Sequence, residues 1–230
     1  MLQKKRKILR EGFLHALPIS VAIGSYGLSF GILAKHVGFS AVQTSVMSVM
    51  VFSGSIQMMT LALKLRGSGW VSIIITAMLI NLRNLLYGAA LSKGLEPAGR
   101  WRWFLAFGVS DEPFVLGSSR FASVGPDPWY FGMVWITFYV AWVLSTTLGV
   151  FVSHSVHNPL TTYGVALAYP MTFAAMIGPM VHGKSTIITI SLAVAITGIF
   201  TVVWPSSSVA IVVAGFFSPL VGALTERNHL

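Results

Sequence analysis

Residues 70–91 read WVSIIITAMLINLRNLLYGAAL, an apolar run with a polar interior. It is long enough for the roughly 20 residues that a helix needs to cross a bilayer core, yet Asn81, Arg83, Asn84 and Tyr87 lie well inside it. An α-helix turns about 100° per residue, so Asn81, Asn84 and Gly88 share a face, with Arg83 and Tyr87 stacked beside them at i and i+4. Ile73, Ile74, Leu79, Leu82 and Leu86 help cover the remainder. An arginine at the centre of a membrane helix costs about 2.5–3.5 kcal/mol on insertion scales and normally faces a partner or a watery cavity. The polar stripe therefore points into a bundle. The blander reading is that Arg83 snorkels to an interface or ties two helices together.

Composition supports the membrane. Of 230 residues, 55% are hydrophobic and 9% charged, against about 25% charged in soluble domains. Apolar runs recur from Phe13 to Leu224, and none alternates as barrel strands do. The expected class is an all-α polytopic membrane protein of about seven to eight transmembrane helices with broken segments, forming one transmembrane domain over 1–230. The net charge of +9 does not mark a nucleic-acid partner. Lys4, Lys5, Arg6, Lys7 and Arg10 precede the first apolar run and most other basic residues sit in short loops, the positive-inside pattern. Residues 1–12 are thus expected to form a cytoplasmic basic N-terminus. Pro18 and Gly24 interrupt the first run and no small-residue cleavage site ends it, so it reads as a retained span. With no cysteine in the chain, disulfides and cysteine metal sites are excluded.

The hydropathic segments cover about 13–34, 41–63, 70–91, 103–120, 129–152, 162–181, 186–204 and 207–224. If 103–120 spans, Lys64, Arg66, Arg120, Lys184 and Arg227 join the N-terminal five inside, leaving Lys35, Lys93, Arg100 and Arg102 outside. If it does not, Arg120, Lys184 and Arg227 move out. The eight-span arrangement fits the bias better, with Lys93, Arg100 and Arg102 as its misfits. ALPISVAIG at 16–24 echoes AYPMTFAAMIG at 168–178. The echo suggests an inverted repeat in which spans one to three answer spans six to eight; chance similarity of small-residue segments is the alternative.

The acids supply a counterpart for Arg83. Asp111 and Glu112 stand inside WFLAFGVSDEPFVLGSSR, and Pro113 removes a donor while discouraging helix at Glu112, so this segment is expected to break beside its charges. Two adjacent carboxylates repel, which favours a proton on one of them. In the second segment Ser53, Gly54 and Ser55 can unwind a turn, with Gln57 following. Irregular backbone at that depth belongs in protein or beside water, and a helix that restarts there offers free amides to a carboxylate; a tight small-residue helix contact is the alternative. Pro18, Pro113, Pro170, Gly178 and Pro179 are the expected helix-break positions, and GSYG at 24–27 repeats the pattern weakly. His15, His36, His154, His157, His182 and His229 are scattered, and no HExxH, Walker loop or GxSxG occurs, so neither metal nor cofactor is expected. Trp101, Trp103, Trp129 and Trp204 sit where an aromatic belt would.

Broken helices, charges of both signs and apolar walls describe a carrier site for a small amphiphilic solute, an ammonium meeting Asp111 or Glu112 and a carboxylate meeting Arg83 or the amides around Gly54. The order of GFLHALPISVAIGSYGLSFGILAKHVGFS, SVMVFSGSIQ, INLRNLLYGAAL, SDEPF, then Trp142 with TTLG at 146–149, resembles the AzlC-type branched-chain amino acid permeases, the large subunit of two-component AzlC/AzlD, BrnF/BrnE-like exporters. The resemblance implies a bacterial inner-membrane exporter of valine, leucine or isoleucine, with a small AzlD-type membrane subunit and a drive from the proton gradient. Relatives often read GLDFALP where this chain reads GVALAYP at 164–170, so Ala166 replaces an acid and puts the substrate in question more than the fold. An accessory or channel-like subunit is the competing reading. An intramembrane enzyme using Asp111 and Glu112 as acid and base lacks a nucleophile or metal cluster to accompany them.

Overall fold

The computed structural model describes residues 2–153, 181, 183–203, 214, 217, 218, 220–222, 224 and 225. Two compact units form, Met1–Thr172 and Phe173–Leu230. The first holds α1 (Leu2–His36), α2 (Ala41–Met50), α3 (Gly54–Leu65), α4 (Trp70–Leu95), a 3-10 helix (Glu96–Trp101), α5 (Arg102–Ala106), α6 (Asp111–Val124) and α7 (Pro128–Val152); α8 (Gly183–Val203) belongs to the second. No strand occurs among the described residues. The stretches Gln3–His36, Trp70–Ala106 and Pro128–Val152 are long and apolar enough to cross a membrane. In the second unit Ser185 Oγ donates to the Gly222 carbonyl at 2.7 Å, tying α8 to the segment around Gly222.

The first unit is built on α1 against α7. Gly27 and Gly31, spaced as GxxxG, bring the backbones together: a Cβ on Gly31 would strike the Thr146 carbonyl, and one on Gly149 the Leu28 carbonyl. Small residues at such a seam allow the close approach that drives helix association in lipid. Ala16, Ile23, Tyr26 and Phe30 then bury against Tyr130, Val134, Phe138 and Trp142. That packing carries α1 straight through Pro18, where a break was expected. The ring forfeits one helical hydrogen bond, and the helix continues.

Two segments expected to span, 41–63 and 103–120, instead fold back. Val51–Ser53 leaves the helix, and α2 and α3, about 15 and 18 Å long at 1.5 Å per residue, are each too short to cross the roughly 30 Å core. Ser45 meets Thr147 at 3.2 Å, and the Val49 carbonyl accepts from Tyr139 Oη at 3.1 Å, so α2 descends antiparallel to α7 towards mid-depth. From there α3 returns: Tyr26 Oη donates to the Gly54 carbonyl at 3.1 Å, and Lys64 Nζ lies 4.0 Å from the centre of the Phe39 ring. Phe39 follows the end of α1, so α2–α3 enters and leaves on one side. The turns at both mouths use glycine in the left-handed region, Gly38 at φ 89° and Gly67 at φ 73°, where other residues strain.

The second hairpin enters from the opposite side. Leu105 packs near Gly132, Phe107 reaches Tyr139 deeper along α7, and α6 returns until Arg120 bonds Glu11 in the N-terminal third of α1 and Asp127 at the N-cap of α7. The break lies at 107–110, ahead of the acids. Pro113 follows as the third residue of α6, in the first turn, where its missing N–H has no helical acceptor to lose. The order is therefore a crossing helix and a half-crossing hairpin, twice, in opposite orientations: α1–α3 and α4–α6. Of spans six to eight in the expected repeat, the seventh falls on α8, while the sixth and most of the eighth lie outside the described residues.

This path corrects the charge assignment. Among the described residues of the first unit, Lys4, Lys5, Arg6, Lys7, Arg10, Lys93, Arg100, Arg102 and Arg120 lie on the N-terminal side, and Lys35, Lys64 and Arg66 on the other. The three misfits of the eight-span reading now obey the rule, and Lys64 and Arg66 change sides. Trp101, Trp103 and Trp129, all exposed, gather on the N-terminal side, at the depth of an aromatic belt; Trp204 lies outside the described residues.

Candidate functional site

The two hairpins meet where their helices restart. Ser53 and Ser110 occupy the N-cap positions of α3 and α6 in extended conformations, φ −155° and −147°, and neither side chain caps its own helix. Between the hairpins stands α4, which presents Arg83 to both. Its Nη2 donates to Ser55 Oγ at 2.7 Å and pairs with Asp111 Oδ2 at 2.7 Å. Tyr87, one turn on, donates to Asp111 Oδ1 at 3.2 Å and stacks on Phe114 with ring centres 4.3 Å apart. Asn84 donates to Asn81 Oδ1 at 3.0 Å. The polar stripe of 70–91 thus faces the bundle, while Val71, Met78, Leu85 and Leu86 are exposed, as lipid-facing residues are.

A narrow cavity of about 30 Å³ opens at this junction, lined by Ser53, Gly54, Ser55, Arg83, Asn84, Ser110, Asp111 and Glu112, with Ile23, Tyr26, Phe52 and Trp142 as an apolar wall. It has room for about two waters and is too small, as it stands, for an aliphatic side chain. Arg83 Nε, Asn84 Oδ1 and Ser110 Oγ are buried without a hydrogen-bond partner. One free donor, one free acceptor and one hydroxyl able to act as either therefore surround a mid-membrane void. Such a set can hold both ends of a small zwitterion.

Of the residues singled out in the sequence, Ser53, Gly54, Ser55, Arg83, Asn84, Asp111 and Glu112 line this cavity; Asn81 and Tyr87 stand one hydrogen bond behind it. Gln57 does not line it. Fully buried, Gln57 donates to Ser48 Oγ at 3.2 Å and accepts from Trp142 Nε1 at 2.9 Å, stapling α2, α3 and α7 together. Pro170, Gly178, Pro179 and Ala166 lie outside the described residues. Tyr26 and Ser110 went unnoticed as site residues in the sequence. Tyr26 was legible only through GSYG, and Ser110 through its place just before Asp-Glu-Pro, where an N-cap serine belongs. No cluster of three or more metal-binding side chains occurs among the described residues.

These features define a polytopic helical membrane protein with an intramembrane polar site between opposed half-crossing hairpins. The AzlC protein family matches residues 18–156, more than half of the chain, and the chain belongs to it. It is 26% identical over 141 residues to the branched-chain amino acid transport protein AzlC of Bacillus subtilis, covering 61% of this chain and 56% of that protein. The chain thus spans little more than half the length of that relative. It is 24% identical over 227 residues to the inner membrane protein YgaZ of Escherichia coli, covering 94% and 91%. An uncharacterized membrane protein of Archaeoglobus fulgidus is 27% identical over 182 residues, covering 78% and 79%. No solved structure matches the chain significantly.

Proposed function

We propose that the chain is the substrate-carrying subunit of a secondary transporter that exports branched-chain or similar small neutral amino acids across the bacterial inner membrane. One observation carries this reading: the Arg83–Asp111 pair spans the meeting point of two broken helices over a mid-membrane cavity, and a scaffold has little need for charge at that depth. The wall of Ile23, Phe52 and Trp142 matches an aliphatic side chain in polarity, and the cavity has to widen to admit one. The name of the Bacillus subtilis relative supports the substrate class. The resemblance of the motifs supports outward direction, a small AzlD-type membrane subunit and proton coupling. The excess of lysine and arginine beside the N-terminus supports a cytoplasmic N-terminus.

The test is efflux from proteoliposomes loaded with labelled leucine, valine, isoleucine or methionine, with and without the small subunit and a proton gradient. Saturable efflux of at least one, lost in Arg83→Ala while the protein stays in the membrane, is the expected result. No efflux of any of the four, with the partner and gradient present, overturns the reading and leaves an accessory role or another solute.

A further inference from the structure

Ser53 and Ser110 hold equivalent places in the two hairpins, but only one has its hydroxyl occupied. Ser53 Oγ lies 3.4 Å from Ser55 Oγ. Ser110 lines the cavity and is 7% exposed, and its Oγ is buried with no hydrogen-bond partner. A buried hydroxyl left unpaired lowers stability, and an N-cap serine ordinarily satisfies an amide of its own first turn. This one does neither, so its partner is a group that enters the cavity.

The surroundings give that group its charge. α6 begins with Asp111 and Glu112, whereas the first turn of α3 has no acid. The first i→i−4 bond of α3 is Gln57 N to the Ser53 carbonyl, so the amides of Gly54, Ser55 and Ile56 precede it and have no helical acceptor. The two carboxylates offset the positive dipole end of α6 and draw a cation to its start, while the start of α3, with no acid, keeps its preference for an anion. Both ends touch one atom, Arg83 Nη2, at 2.7 Å, so Ser55 Oγ and Asp111 Oδ2 stand within twice that distance of each other.

We infer that Ser110 is a substrate-binding residue: its hydroxyl, with the free Oδ1 of Asn84, accepts hydrogen bonds from the ammonium group of an amino acid whose carboxylate lies at the start of α3. The inference rests on the transport reading above and names the groups that select a zwitterion. A 2-oxo acid has no ammonium to donate to Ser110 and Asn84; its keto oxygen can only accept from the Ser110 hydroxyl, a weaker neutral hydrogen bond.

The experiment compares wild type, Ser110→Ala and Ser110→Thr in proteoliposomes with the small subunit present, measuring the KM for L-leucine efflux and inhibition by 4-methyl-2-oxopentanoate, with thermal unfolding as the check on folding. In Ser110→Ala the KM for leucine rises about 10- to 100-fold, the loss of one hydrogen bond to a charged group, inhibition by the oxo acid weakens by no more than about 5-fold, the loss of a neutral one, and Ser110→Thr restores most of the affinity for leucine. An unchanged KM in a folded Ser110→Ala protein overturns this assignment alone, as does an equal loss for leucine and the oxo acid. If wild type carries none of leucine, valine, isoleucine and methionine, the transport reading falls and this inference falls with it; if it carries another of the four, the same comparison is made on that amino acid.

Discussion

The Arg83–Asp111 pair makes a quantitative demand that a stability cycle can check. Asp111 exposes 15% of its side chain and Arg83 33%. Removing one member of a fully buried pair costs about 3–5 kcal/mol; with a third of Arg83 open and water able to enter the cavity, about 2 kcal/mol is expected for Arg83→Met. The carboxylate would keep only the Tyr87 hydroxyl at 3.2 Å. Asp111→Asn should cost a similar amount by leaving the guanidinium with Ser55. The double variant strands neither charge, so its loss should fall short of the sum by about 2 kcal/mol, well beyond the roughly 0.5 kcal/mol within which independent sites add. Reversible unfolding in mixed detergent and SDS micelles measures all three. Additive losses would refute the pair as an energetic link between the hairpins. Leucine flux should not return in the double variant, because the site would have lost both charges.

Two further outcomes follow from the fold. Since the chain has no cysteine, single cysteines at Gln3, Ser68 and Ala98 can be labelled from either face; Gln3 and Ala98 should react from one side and Ser68 from the other. Ser68 and Gln3 reacting together would restore the eight-span path. Gly31→Ala should cost about 1–3 kcal/mol by overpacking, because its Cβ would meet the backbone of α7, whereas Gly24→Ala, with nothing within 4 Å, should be neutral or slightly stabilising. Equal melting temperatures for those two variants would place the α1–α7 seam elsewhere.

What the sequence could reveal depended on which quantity each signal measures. The 3.6-residue period put Asn81, Arg83, Asn84 and Tyr87 on one stripe, and the structure aims that stripe at the acids after the next break. Ser53 and Gly54, small and polar in an apolar run, marked the restart of α3 within a residue. Gln57 looked equally polar but serves packing, since only tertiary contact shows that Ser48 and Trp142 use both ends of its amide. Hydropathy went astray over 41–63 and 103–120 because it measures transfer into hydrocarbon and carries no direction. An apolar stretch bent at its midpoint scores the same as a straight one. Direction was present elsewhere, in Lys93, Arg100 and Arg102. Each half-crossing hairpin counted as a full span inverts the side of every loop up to the next miscount. The misfits therefore began after the first hairpin and ended after the second, at Arg120. A run of basic residues on the wrong side, bounded by two polar breaks, is the charge pattern that a pair of opposed hairpins must leave in a sequence under the positive-inside rule.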